Sequence, residues 1–148
     1  ESQAAPYRCI RPEENVMIKV TEEIKDSLKA TKVAYLSTAS RDAIPNVVPI
    51  GAVKFLDDET LLISDQYFNK TLKNLQENPK IALAWWGEKG GFQIKADITI
   101  HTEGEIFDED VEWIRTVRPT LQPKSAIVAK ITGVYVVKGG VDAGRQIL

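Results

Sequence analysis

The chain has 148 residues, 43% hydrophobic and 27% charged, which is one ordinary domain with enough apolar material for a core, and excludes wholesale disorder. Lys and Arg number 19 against 21 Asp and Glu, a net charge of −2, so no charge excess points to nucleic acid or an anionic membrane surface. No stretch approaches the roughly 20 apolar residues that cross a bilayer, and the single Cys and single His cannot form an internal disulfide or a His/Cys zinc site.

Residues 1–16 carry Pro6, Pro12 and mixed charge with no apolar periodicity and no secretory-signal core. They read as an N-terminal arm or tag before a domain over residues 17–148, and the cytoplasm is the expected compartment. From Thr21 a helix is expected, with Thr21 as cap, Glu22 and Glu23 at its positive end, and Ile24 and Leu28 on one face. Val33 to Thr38 reads as a strand and Arg41 to Ala43 as a turn. Pro45 to Phe55 reads as a second strand, in which Pro49 implies an edge, a bulge or a break. Asp57 to Glu59 is a turn before a third strand, Thr60 to Ser64.

Asn69 to Glu77 changes period, with Asn69 as cap, Leu72 and Leu75 at helix spacing, and Asn78-Pro79 as stop. Ile81 to Trp86 is the fourth strand. Phe92, Ile94, Ala96, Ile98 and Ile100 then alternate with polar residues, the clearest period-two run in the chain. Asp108 is expected to open a short helix that buries Val111, Ile114 and Val117 and stops at Pro119. Ala126 to Val137 is the last strand, with a bulge or bend at Gly133. Strands do not alternate with long helical crossovers, which argues against a parallel doubly wound sheet. A mainly β, α+β fold follows: six antiparallel strands closed or nearly closed into a barrel, with short flanking helices.

The common catalytic and nucleotide-binding signatures are absent. His101 falls on the polar face of a strand, Cys9 lies in the arm, and the acidic run from Glu103 to Asp110 reads as a solvated helix start, so no metal site and no catalytic residue is assigned. One segment is more specific. The third strand ends at Ser64-Asp65, and a short loop leads to Asn69-Lys70-Thr71 at a helix start. Free N–H groups, partial positive charge, a lysine and a hydroxyl meet there, as a phosphate requires; a capped surface helix with an incidental lysine has the same local pattern.

Taken in order, the segments Val33 to Thr38, Pro45 to Pro49, Leu62 to Asp65, Asn69 to Thr71 with Asn74-Leu75 and Asn78-Pro79, and Phe92 to Ala96 resemble the flavin split-barrel family, FMN-binding proteins related to pyridoxamine 5′-phosphate oxidase. The resemblance spans roughly Thr21 to Leu148. It implies a homodimer of split barrels with FMN at the interface. Val47, Val48 and Pro49 would border the flavin ring, and Ser64 and Asp65 would flank the ribityl chain or ring edge. Asn69, Lys70 and Thr71 would take the phosphate, with Asn74 and Gln93 as further candidates. Two departures stand out: Ala96 occupies a position where the family often has glycine, and the basic, tryptophan-containing C-terminal signature of true pyridoxamine phosphate oxidases is missing. An FMN-dependent oxidoreductase that does not itself oxidise vitamin B6 is the expected function. The alternatives are an F420-dependent reductase on the same fold and a non-catalytic FMN carrier.

Overall fold

The computed structural model describes residues 18–148; the N-terminal arm over residues 1–16, with Cys9, lies outside the described residues. Helix α1 (Glu22–Lys29) is capped by Thr21, whose hydroxyl accepts the Ile24 N–H at 3.4 Å. Seven strands follow where six are expected: β1 (Ala34–Ala39), β2 (Pro45–Ile50), β3 (Val53–Phe55), β4 (Thr60–Asp65), β5 (Lys80–Gly87), β6 (Gly90–His101) and β7 (Ser125–Val136). Helix α2 (Lys70–Glu77) lies between β4 and β5, and α3 (Glu105–Val117) between β6 and β7.

The extra strand comes from residues 45–55, which are two strands rather than one. All pairings are antiparallel and the sheet order is β2-β1-β5-β6-β7-β4-β3. The two outermost strands are therefore consecutive in the chain, joined only by Gly51 and Ala52. Three Cα steps reach at most about 11 Å, so the sheet must curl until its edges nearly touch. The result is a split barrel, with the seam between β2 and β3. Pro49 sits on the edge strand β2, opposite Tyr35, where a missing N–H costs no second ladder. The β6–β7 register shifts so that Lys95 faces Gly133 while Ala96 faces Ile131, the bulge expected near Gly133.

The barrel interior is a continuous apolar core built from alternate residues of the strands, among them Leu36, Leu61, Ile63, Leu83, Ile94 and Ile127, with Ile24 and Leu28 from α1. Trp85 and Trp86 point to opposite faces. Trp85 is 1% exposed, donates Nε1–H to Ser27 Oγ at 2.9 Å and packs on Phe92; Trp86 is 74% exposed. Beyond β7, the tail turns back and bonds to it, Ile147 N–H donating to the Val134 carbonyl and Val136 N–H to that of Arg145.

Helix α3 differs from expectation at its start. It opens at Glu105, after Gly104 at φ 89, a conformation that glycine adopts without strain. Ile114 is fully buried as expected, Val117 is exposed, and Asp110, expected in solvent, is buried. The helix rolls so that Asp110 and Ile114, one turn apart, face the sheet.

Candidate functional site

A cavity of about 430 Å³ opens at the seam, lined among others by Val48, Pro49, Gly51, Ser64, Lys70 and Arg118. Its volume lies in the range of small-molecule sites. Lys70 is the first residue of α2. Asn69 holds the cap position but its side chain makes no capping bond, so it leaves the first N–H groups of α2 without a side-chain acceptor.

Thr71, the next residue, is buried and lines the cavity. Its Oγ1 accepts Asn46 Nδ2–H at 3.1 Å, which leaves the hydroxyl proton to donate. Asn46 Nδ2 also reaches Thr38 Oγ1 at 3.2 Å, and Asn74 Nδ2 reaches the same oxygen at 3.0 Å. This network ties the start of α2 to β1 and β2, so the donor set is held by the sheet rather than by a free loop. Among the described residues no carboxylate lies within ion-pair distance of Lys70 or Arg118.

Ser64 Oγ donates to Asp110 Oδ2 at 2.8 Å and accepts Gln66 Nε2–H at 2.6 Å. Asp110 Oδ1 has no partner among the described residues. Burial pushes the Asp110 carboxyl above its ordinary value; the Ser64 hydroxyl and Lys54 pull it down, while Asp65 and Glu109 add to the rise. Asp65 itself is buried and occupied: it accepts Phe68 N–H at 2.9 Å and Ser125 Oγ–H at 2.8 Å, with Lys124 Nζ 3.7 Å away. Its role here is to fold the loop over residues 66–69 against β7.

The structure thus brings Val48, Pro49, Ser64, Asn69, Lys70 and Thr71 to one cavity. Asn74 stands one layer behind, through Thr38. Asp65 is turned inward. Val47 and Gln93 do not line the cavity: Val47 is exposed on β2 two residues before Pro49, towards the end of the strand away from Gly51, and Gln93 lies on β6 between Ala84 and Tyr135.

The sequence model of the pyridoxamine 5′-phosphate oxidase family matches residues 20–138. The chain belongs to that family. An uncharacterised protein of Methanocaldococcus jannaschii is 42% identical over 134 residues, covering 88% of this chain and 89% of that protein. Among solved structures, HupZ of Group A Streptococcus superposes with a TM-score of 0.74 at 23% identity, over 84% of this chain and 99% of that one. An FMN-binding protein from Syntrophomonas wolfei superposes with a TM-score of 0.71 at 21% identity, over 80% and 86%. At these identities the structural likeness establishes the fold.

Within this pyridoxamine 5′-phosphate oxidase family chain, several residues in or behind the cavity wall escape a reading of the sequence. Asn46 falls in a segment quoted for the family resemblance, yet only the bond to Thr71 gives it a role. Gly51 is a strand glycine and so a signal for a break or a close approach. Gln66, Tyr67 and Phe68 belong to a loop whose course no local pattern dictates. Arg118 reads as a favourable charge at a helix C-terminus, and nothing within α3 says that it faces a cavity 67 residues away from Gly51 in the chain.

Proposed function

We propose that the seam cavity binds FMN and that the protein is an FMN-dependent oxidoreductase acting as a homodimer. The observation that carries this reading is the convergence of Lys70, the uncapped start of α2 and the Thr71 hydroxyl on a cavity whose other wall is the edge strand β2. A dianionic phosphate suits that donor set: the ammonium supplies charge, the helix start supplies N–H groups, and Asn46 holds Thr71 as a donor. Edge strand β2 has one free side, where a planar ring can lie against backbone that no further strand covers. Bound FMN would supply a two-electron carrier, and the chain would supply binding, orientation and shielding from water.

The outward sheet face supports the dimer. Tyr35, Val47 and Trp86 are all exposed and lie on the adjacent strands β1, β2 and β5, with Pro49 and Ala84 flanking Tyr35. A contiguous apolar surface of this kind marks an association site, and a second copy of the same face is the economical partner. Such a pairing would also give Val47 and Gln93, which do not line their own cavity, a place at the interface.

The purified protein, loaded with FMN and freed of excess, is expected to absorb near ~450 nm, and the band should bleach on anaerobic addition of NADH or NADPH. A protein that retains only a deazaflavin, absorbing near ~420 nm, or no flavin at all, overturns the reading. A band that no reduced nicotinamide bleaches makes the protein a carrier.

A further inference from the structure

Arg118 is the second cation of the cavity, and the flavin reading above gives it no task. It stands at the C-terminus of α3, where its N–H donates to the Ile114 carbonyl at 2.7 Å and its carbonyl accepts the Leu121 N–H at 3.0 Å. The helix behind it is anchored by buried Ile114 and by the Ser64–Asp110 bond, so the guanidinium is delivered from a fixed element. It rests on Gly51: a Cβ there would overlap Nη2 and lie 3.3 Å from Cζ. Glycine at the β2–β3 junction lets the exposed guanidinium lie directly against the backbone there. Lys70 stands at the start of α2 and Arg118 at the end of α3, so the two cations reach the cavity from different elements.

We propose that Arg118 is an anion-binding group that favours the reduced state of the cofactor, an inference that rests on the FMN reading. Two electrons and one proton added to the ring leave it one negative charge richer than the oxidised form, on the pyrimidine half. A guanidinium without a carboxylate partner among the described residues, beside the β2 backbone that would border the ring, is placed to pair with that charge. Arg118 so acts on the ring, and Lys70 on the phosphate.

The test measures the affinities of oxidised FMN, dithionite-reduced FMN and oxidised riboflavin for the full chain and for Arg118→Met and Gly51→Ala. Arg118→Met should weaken reduced FMN by about tenfold relative to oxidised FMN, while the preference for FMN over riboflavin stays as in the parent. Gly51→Ala keeps the charge but displaces it, and should move the ratio in the same direction by less. Equal affinities for both redox states, unchanged in both variants, overturn the inference. Loss of the FMN preference in Arg118→Met overturns it too, because Arg118 is then a phosphate ligand. A parent chain that binds neither form overturns the FMN reading, and the inference falls with it.

Discussion

Two regions of the outer sheet surface are finished in different ways. Over β4 and β7 the chain supplies its own cover. Leu61 to Asp65 are all buried, and the residues that point away from the barrel, Leu62 and Ser64, are closed off by α3. Over β1, β2 and β5 the described residues supply none. Alternation there is plain, and Tyr35, Val47 and Trp86 stand in solvent. A strand buried on both faces reads as a continuous apolar run, whereas a strand covered on one face alternates. The first region has its cover in the same chain, whereas among the described residues nothing covers the second, which is the face proposed above for a second copy. The cavity lies where the two regions meet.

The largest expected effect breaks the covered region. Ile114→Ala removes the main apolar contact beneath α3 and should cost about 2–5 kcal/mol of stability, read by urea denaturation. Because α3 also carries Asp110 and Arg118, flavin affinity should fall with it.

Breaking the uncovered region should look different. Trp86→Glu changes a 74% exposed side chain and should alter monomer stability by no more than about 0.5 kcal/mol. Sedimentation should nevertheless show a dimer in the parent and a monomer in the variant. A parent that sediments as a monomer with FMN bound would remove the partner from the account.

The covered region also carries a pH dependence. Burial, with smaller contributions from Asp65 and Glu109, raises the folded-state value of Asp110 against the opposing Ser64 hydroxyl and Lys54. An unfolded aspartate titrates near ~3.9. Between that value and the folded one, the native state holds a proton that the unfolded chain has lost, so stability falls as pH rises through the window. Asp110→Asn lacks this loss. Denaturation from about pH 4 upward should show the variant gaining on the parent and then levelling off. Asp57, in the turn before β4, has the opposite sign. Its burial is outweighed by the N–H groups of Glu59 and Thr60 and the Thr60 hydroxyl, so its contribution is lost as pH falls below the ordinary aspartate range.

These contrasts also mark what the sequence makes legible. Periodicity places the helix from Thr21, the long alternating strand at Phe92 and the helix before Asn78-Pro79, because each rests on neighbours three, four or two residues apart. The break at Gly51 is less visible: β2 and β3 read as one strand, and what parts them is their assignment to opposite edges of a sheet, a long-range property. Asp110 misleads for the same reason. Its partner Ser64 lies 46 residues away, and no local rule separates a buried carboxylate from its solvated neighbours Asp108 and Glu109. In the cavity, the α2 start is readable from residue type. Arg118, delivered from another element, is not.

The smallest effect concerns the hairpin of the uncovered region. Ala43 between β1 and β2 has φ 62, a left-handed conformation that costs a side chain. Ala43→Gly relieves that strain but adds freedom to the unfolded chain, so the net gain should stay below about 1 kcal/mol, a rise of a few degrees at most in Tm.

The central claim is that Lys70 and the start of α2 hold a phosphate. Calorimetric titration of the parent and Lys70→Ala with FMN and with riboflavin tests it most directly, since the two ligands differ only in that group. The account predicts that Lys70→Ala weakens FMN by about ten- to a hundredfold and leaves riboflavin unchanged. An FMN affinity that is the same in both proteins would contradict it.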